Sequence, residues 1–148
     1  MNWQDHLLTT PAQIEALLAR LRRVAVLGMR SERLADRPAH YVPAALKDMG
    51  LQIVPVDLHE PQLQSILGEP VYRRLADIPG DIDLVDVFRR PVDIPGHLDD
   101  ILAKRPAAVW LQTGIRHDAV AERLAREGID VVQDHCLMVE YRHWHARR

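Results

Sequence analysis

Continuous runs of four or five apolar residues recur along the chain, separated by longer stretches that mix apolar and polar positions. Each run is apolar at nearly every position instead of alternating with polar residues. This is typical of strands buried on both faces of a parallel sheet. The pattern predicts five strands, at residues 24–27, 52–56, 84–88, 107–111 and 130–132.

Between the strands, apolar residues recur at helical spacing. Thr10, Pro11 and Gln13 form the sequence signature of a helix start with a capping box. Residues 29–37 are mostly polar and predict a loop after the first strand. The apolar spacing predicts helices over residues 10–22, 38–49, 95–104, 117–127 and 136–145, and a short helix at 63–66.

Strands that alternate with helices indicate an α/β fold with a parallel sheet and helices on both faces. Right-handed crossovers then favour a Rossmann-like, doubly wound five-stranded sheet. With the strands numbered along the chain, we expect the order 3-2-1-4-5. No linker or low-complexity segment divides the chain, so residues 1–148 are expected to form one domain, with the helix at about 10–22 packed on it.

Composition excludes several classes of protein. Hydrophobic residues make up 47% of the 148 residues, charged residues make up 27%, and the net charge is −2. This is the composition of an ordinary globular domain. The balance of charge argues against nucleic-acid binding, and no apolar run is long enough for a membrane span. The single cysteine, Cys136, and the lack of an export signal predict a reducing cytoplasm.

In a doubly wound sheet, ligands bind beyond the carboxyl ends of the strands, where the strand order reverses. With the expected order, the first and fourth strands flank that crevice. The segments that follow the five strands are residues 28–37, Asp57, residues 88–90, residues 112–114 and residues 134–136.

The loop after the first strand carries the most information. It keeps Gly28 but lacks the second and third glycines of a dinucleotide fingerprint. It contains Arg30, Arg33 and Arg37, which could hold several phosphates with their guanidinium groups. The alternative is that these arginines are surface charges offset by nearby carboxylates.

Two further segments have competing interpretations. Asp57, at the end of the second strand, could accept hydrogen bonds from an adenosine ribose, as in NAD sites, or could cap a helix or a turn. Arg89 and Arg90 directly follow the apolar third strand. They could form a second cationic patch on the rim of the crevice, or they could pair with Asp86 or Asp93.

With these segments in view, the chain resembles the small stand-alone CoA-binding proteins, a Rossmann-type family. That family is similar to the CoA-binding domain of succinyl-CoA synthetase α subunits. The combination of VDVFRRP with W-x-Q-x-G is the more specific part of the match. The matching stretches are VAVLGMRSERLADRPAHYV (24–42), IVPVD (53–57), ILGEPVYRRLADIP (66–79), DLVDVFRRP (83–91), VWLQTGI (109–115) and VVQDHCLMVEY (131–141).

The resemblance implies that coenzyme A occupies the crevice. It places phosphates against the first loop, adenosine beside the second strand, two walls at the ends of the third and fourth strands, and pantetheine near the single cysteine. The expected ligand-binding residues are Gly28, Met29, Arg30, Ser31, Arg37, Val56, Asp57, Val87, Phe88, Arg89, Leu111, Gln112, Thr113, Gly114 and Cys136.

We therefore expect a protein that binds CoA or an acyl-CoA and acts as a carrier, sensor or accessory protein without catalysis of its own. No catalytic residues and no metal site are predicted, because the sequence lacks the corresponding motifs. One alternative is an NAD(H)-binding module or small oxidoreductase, which Asp57 would support. The other is an interaction subunit with a vestigial crevice, assembled as a homodimer or with another protein through Trp3 and Trp144.

Overall fold

A computed structural model describes residues 2–148 and contains the expected α/β architecture. The strands are β1 (Arg23–Leu27), β2 (Gln52–Val56), β3 (Ser65–Ile66), β4 (Glu69–Pro70), β5 (Leu84–Val87), β6 (Ala108–Leu111) and β7 (Asp130–Val132). The α-helices are α1 (Pro11–Leu18), α2 (Pro38–Asp48), α3 (Leu98–Lys104), α4 (Asp118–Arg126) and α5 (Leu137–Arg147). Short 3₁₀ turns cover Trp3–His6, Glu32–Leu34, Leu75–Asp77 and Pro91–His97.

Five of the strands form one parallel sheet in the order β2-β1-β5-β6-β7. Alternate residues of each strand pack on opposite faces, as the pleat requires. Val24, Val26 and Trp110 pack towards α1, α2 and α5, whereas Ala25 and Leu27 pack towards α3 and α4. The prediction of a Rossmann-like α/β sheet with helices on both faces is confirmed.

The predicted strand order 3-2-1-4-5 is wrong, because β5, the third strand predicted, pairs with β1 and not with β2. Two contacts explain the observed order 2-1-3-4-5. The outer edge of β2 is already covered by Tyr72, which bridges Val56 and donates its N–H to Pro55 O at 3.0 Å. Asp83, just before β5, accepts hydrogen bonds from the backbone N–H of Arg22 and Arg23 at 3.0 and 2.8 Å, so β5 starts beside β1.

The predicted short helix at 63–66 is also wrong, since β3 and β4 form a two-stranded hairpin there. Leu67 and Gly68, between the two strands, have φ of 53° and 75°. Positive φ at both central residues is the geometry of the tight hairpin turn. The carboxylate of Glu32 accepts the Leu67 N–H at 2.7 Å, and Lys47 Nζ donates to the Leu67 carbonyl, which holds this non-glycine residue in place.

The other predicted helices exist with adjusted boundaries. The capping box is present: Gln13 N donates to Thr10 Oγ1 at 3.2 Å, and Thr10 N donates to Gln13 Oε1 at 3.0 Å. The first helix ends at Leu18, four residues earlier than expected. The predicted helix 95–104 begins as a 3₁₀ turn that contains Pro95, and it is α-helical only from Leu98.

The central strand β5 carries a buried carboxyl group. Asp86 is fully buried, and it stands in register with Val26 of β1 and Trp110 of β6. Neither of its side-chain oxygens has a hydrogen-bond partner among residues 2–148. Burial raises the pKa of Asp86 well above its ordinary value, because a charge is costly to place in the apolar interior.

This buried carboxyl makes stability depend on pH. The folded state holds the Asp86 proton more tightly than the unfolded state, so stability falls as pH rises from about 4 towards the raised folded pKa. The loss is about 1.4 kcal/mol per pH unit within that interval. We expect Asp86→Asn to remove this slope and to be more stable than the wild type at neutral pH, as measured by urea unfolding at a series of pH values. The exposed Asp36→Asn serves as control, and an unchanged slope in Asp86→Asn would contradict the assignment.

Candidate functional site

A crevice of about 700 Å³ lies at the carboxyl edge of the large sheet, where β1, β5 and β6 end and α2 begins. Cavities of this size are typical of sites for cofactor-sized ligands. The residues that line it are Gly28, Arg30, Arg37, Pro38, Ala39, Tyr41, Val42, His59, Phe88, Arg89, Arg90, Pro91, Gln112, Thr113, Ile115 and Cys136.

The crevice opens between β1 and β5, and not between the first and fourth predicted strands as expected. This correction follows from the strand order, because the chain reverses direction across the sheet at the β1–β5 boundary. The two loops after these strands pack tightly. A Cβ added to Gly28, whose φ is +89°, would lie 2.4 Å from Phe88 O and 3.2 Å from Arg89 Cδ.

A proline in α2 fixes the position of the first loop. Pro43 has no N–H, so the carbonyl of Ala39, one turn earlier, is left without its helical donor. Arg30 N donates to that carbonyl at 3.1 Å, and His40 Nδ1 donates to Arg30 O at 2.9 Å. The Arg30 peptide is therefore held on both sides by α2, and its side chain lines the crevice.

The charge of the crevice is entirely positive. Arg30, Arg37, Arg89 and Arg90 line it, and none of its lining residues among those described is Asp or Glu. Arg30 and Arg37 take part in none of the ion pairs within residues 2–148, and the buried Arg30 Nε has no hydrogen-bond partner there. Such an arrangement favours a ligand that carries several negative charges.

Arg33, which the sequence grouped with Arg30 and Arg37, lies elsewhere. It pairs with Glu60 at 3.0 Å with a side chain that is 80% exposed, and it does not line the crevice. The alternative of an offset surface charge therefore holds for Arg33. It does not hold for Arg30 or Arg37, whose side chains face the crevice.

His59 faces two of these arginines. Burial lowers its pKa, and the charges of Arg30 and Arg89 lower it further, while Asp57 and Glu60 raise it less. The His59 imidazole is thus neutral at pH 7. Burial is the larger cause of this shift, and the positive charges inside the crevice act in the same direction.

Arg89 is held by two neighbours on its outer side. Its Nε donates to His97 Nε2 at 3.2 Å, and its guanidinium lies 3.6 Å from an Asp93 oxygen. Asp93 also accepts from Arg90 Nε at 2.9 Å, and this hydrogen bond lowers the pKa of Asp93. Arg89 and Arg90 therefore share one carboxylate, which leaves a net positive charge on this wall.

The Asp57 carboxylate has a structural role. It is fully buried, and its side-chain oxygens accept from the N–H groups of His59 and Glu60, each at 3.0 Å. Arg73 pairs with the same carboxylate at 3.1 Å. Of the two interpretations of the sequence, the turn cap describes these contacts, because both oxygens of Asp57 are occupied and its charge is compensated.

The far wall is built by the ends of β6 and β7. Trp110 Nε1 donates to His135 O at 2.8 Å, which ties the loop before α5 to the sheet. Gln112 Oε1 accepts from Leu137 N at 3.0 Å in the first turn of α5. Cys136, immediately before that helix, is half-buried and lines the crevice.

The structure sorts the predicted ligand-binding residues into three groups. Those on the crevice surface are Gly28, Arg30, Arg37, Phe88, Arg89, Gln112, Thr113 and Cys136. Those buried behind it are Met29, Ser31, Val56, Asp57, Val87 and Leu111. Gly114 lies at the exposed rim, where its N–H donates to Asp134 at 2.7 Å. Contact of each with a ligand stays a prediction.

Sequence reasoning missed part of the lining. It did not include the first turn of α2 (Pro38, Ala39, Tyr41 and Val42), nor His59, Pro91 and Ile115. One signal was available for the α2 residues. Pro38 opens a helix directly after an arginine-bearing loop, and the positive end of a helix dipole is a common anion site. We find no comparable signal for His59.

No group of three or more His, Cys, Asp or Glu side chains within residues 2–148 is arranged to hold a metal ion. In the same part of the chain, no helix has the length and apolarity needed to cross a membrane.

Comparison with protein families matches residues 22–142 to a family described as a CoA binding domain. The uncharacterized protein YneT of Bacillus subtilis (strain 168) is 35% identical over 130 residues, which is 88% of this chain and 93% of that protein.

Solved structures share the fold. Cell-free ID.343 from Thermus thermophilus is 39% identical, with a TM-score of 0.83, over 92% of this chain and 99% of that one. The dinucleotide forming acetyl-coenzyme A synthetase 1 of Ca. Korarchaeum cryptofilum, in complex with phosphate and ADP, matches with a TM-score of 0.63. It is 16% identical over 74% of this chain and 25% of that chain, so this likeness concerns the fold alone.

The close approach at Gly28 can be tested by substitution. Gly28→Ala forces a side chain into a positive-φ position and against the Phe88 carbonyl, so we expect a loss of at least about 2 kcal/mol of unfolding free energy. Gly128 is the matched control: its φ is +81°, but an added Cβ has no neighbour within 4 Å. We expect Gly128→Ala to cost about 1 kcal/mol in the same urea titration. Equal losses for both variants would show that the packing of Gly28 against Phe88 is unimportant.

Proposed function

The chain belongs to the CoA binding domain family, and from that premise we propose that it binds coenzyme A in the crevice at the carboxyl edge of the sheet. The observation that carries the proposal is a 700 Å³ crevice lined by four arginines and by no carboxylate of the described residues. Coenzyme A carries a diphosphate and a 3′-phosphate. Arginine recognises such groups through paired, charge-assisted hydrogen bonds.

The phosphates are proposed to lie at the Arg30 and Arg37 side of the crevice. Both guanidinium groups lack a carboxylate partner in residues 2–148; Arg37 is the N-cap residue of α2, and Arg30 N donates to the Ala39 carbonyl in the first turn of that helix. A buried, unpaired donor such as Arg30 Nε is costly unless a ligand satisfies it. Anion binding there would therefore remove a cost already present in the fold.

The pantetheine arm is proposed to run along the far wall. That wall combines apolar surface from Ile115 with polar groups on Gln112 and Thr113, and Cys136 lies at its end; Phe88, after β5, adds apolar surface to the same crevice. An arm with two amides and an apolar backbone needs such a mixed surface.

The role proposed for the protein is that of a carrier, sensor or accessory protein without chemistry of its own. We expect it in the cytoplasm, as the lone Cys136 suggests. A homodimer or a protein partner also stays a prediction. The NAD(H) alternative loses its support, because Asp57 already accepts two backbone N–H groups and pairs with Arg73.

Ligand identity can be tested by calorimetric titration with CoA, acetyl-CoA, 3′-dephospho-CoA and NADH. We expect CoA to bind, 3′-dephospho-CoA to bind more weakly, and NADH not to bind. Acetyl-CoA recovered intact after incubation would support the non-catalytic role. Binding of NADH without binding of CoA at millimolar concentration would overturn the proposal.

The contribution of the first loop can be tested by comparing two of its arginines. Arg30→Ala is expected to weaken CoA binding by about 1–3 kcal/mol, because it removes a charge-assisted phosphate contact. Arg33→Ala is the matched control, since Arg33 is in the same loop but pairs with Glu60 outside the crevice. If both variants bound CoA as the wild type does, Arg30 would not be a phosphate ligand.

A further inference from the structure

We propose that His97 is a positioning residue for the anion crevice, because its imidazole accepts the Nε–H of Arg89 and so fixes the guanidinium that faces the ligand. The proposal rests on the proposed function and deepens it. His97 does not line the crevice and was not among the residues expected from the sequence.

The contacts of Arg89 leave little freedom to its side chain. On one side, its Cδ lies 3.2 Å from the point where Gly28 would carry a Cβ. On the other side, Nε donates to His97 Nε2 at 3.2 Å, and a terminal nitrogen lies 3.6 Å from Asp93. The side chain is only 21% exposed. The Arg89 side chain therefore lies between Gly28 of the first loop and His97, and it lines the crevice.

The chemistry of His97 suits it for this role. A ring nitrogen that accepts a hydrogen bond is unprotonated, so His97 is neutral with its proton on Nδ1. Burial lowers the pKa of His97, and the charge of Arg89 lowers it further, against smaller opposite effects of Asp100 and Asp93. His97 also precedes α3 without capping it through its side chain, so replacing the ring removes no helix cap.

Protonation would undo this arrangement. Below the pKa of His97, both ring nitrogens carry hydrogen, the acceptor for Arg89 Nε is lost, and two cations stand side by side. The nearby carboxylates do not replace His97 as acceptor for Arg89 Nε. Asp93 is shared with Arg90, and Asp100 accepts from Leu75 N and Ala76 N. Anion binding then weakens as the pH falls.

His59 responds to pH in the opposite sense. It faces Arg30 and Arg89 within the crevice, with Asp57 and Glu60 on its own segment, and its protonation adds positive charge to the site. The phosphates of CoA also titrate. Comparison of variants that differ only at position 97 cancels both contributions.

The binding experiment uses CoA, the wild type and three variants at about pH 7.5 and at a series of lower pH values. His97→Ala is expected to weaken binding about 3- to 10-fold at pH 7.5, the value of one hydrogen bond. His97→Gln offers an acceptor that does not titrate, so it should bind as the wild type does at about pH 7.5 and better than the wild type once the pH falls below the pKa of His97. His143→Ala, an exposed position outside the crevice, is the control. Equal affinities for wild type and His97→Ala, with folding verified by circular dichroism, would overturn the proposal.

A second measurement needs no ligand, so it separates failure of this inference from failure of the CoA proposal. In ¹⁵N NMR spectra of the free protein, Arg89 Nε–H is expected to be protected from exchange with water at neutral pH. The protection should disappear in His97→Ala and persist in His97→Gln. If the protection is lost in His97→Ala but the wild type does not bind CoA, the positioning role of His97 stands and the CoA proposal is refuted. Protection that is absent in the wild type, or unchanged in His97→Ala, would refute the positioning role.

Discussion

The structure depends on the close contact between the loops that follow β1 and β5. These strands are neighbours because Asp83 ties the start of β5 to the start of β1 and because Tyr72 covers the free edge of β2. At their carboxyl ends, Gly28 must approach the Phe88 carbonyl without a side chain. The crevice begins at that contact, and the arginines of both loops face it from opposite sides.

Two arginines of the crevice, Arg30 and Arg89, are held in place by contacts with neighbouring residues of the fold. Pro43 frees the Ala39 carbonyl, which receives Arg30 N–H, and His40 holds the Arg30 carbonyl. His97 and Asp93 hold Arg89. These contacts fix like charges near one another before any ligand binds. Such preorganisation is costly for the fold, but it lowers the cost of ordering the site on binding.

Much of the fold could be predicted because burial determines the apolar pattern. The runs at 52–56 and 130–132 matched β2 and β7 to the residue, and the Thr10–Gln13 capping box formed as expected. The errors arose where contacts between residues distant in the sequence determine the local conformation. Residues 63–66 share the apolar spacing of a short helix, but Leu67 and Gly68 adopt a hairpin turn that is held by Glu32 and Lys47.

The sequence by itself determined the five strands of the large sheet, the α/β class, the family and the arginine-bearing loop, since these follow from local periodicity and short motifs. Only the tertiary structure decided the strand order, and with it that β5 flanks the crevice. It also decided that Arg30 lines the crevice whereas Arg33 pairs with Glu60 outside it, and that Asp57 binds Arg73 and two backbone N–H groups. The reason is physical: the strand order, the Arg33–Glu60 pair and the Asp57–Arg73 pair depend on which of several possible partners a group meets, and those partners are distant in the sequence.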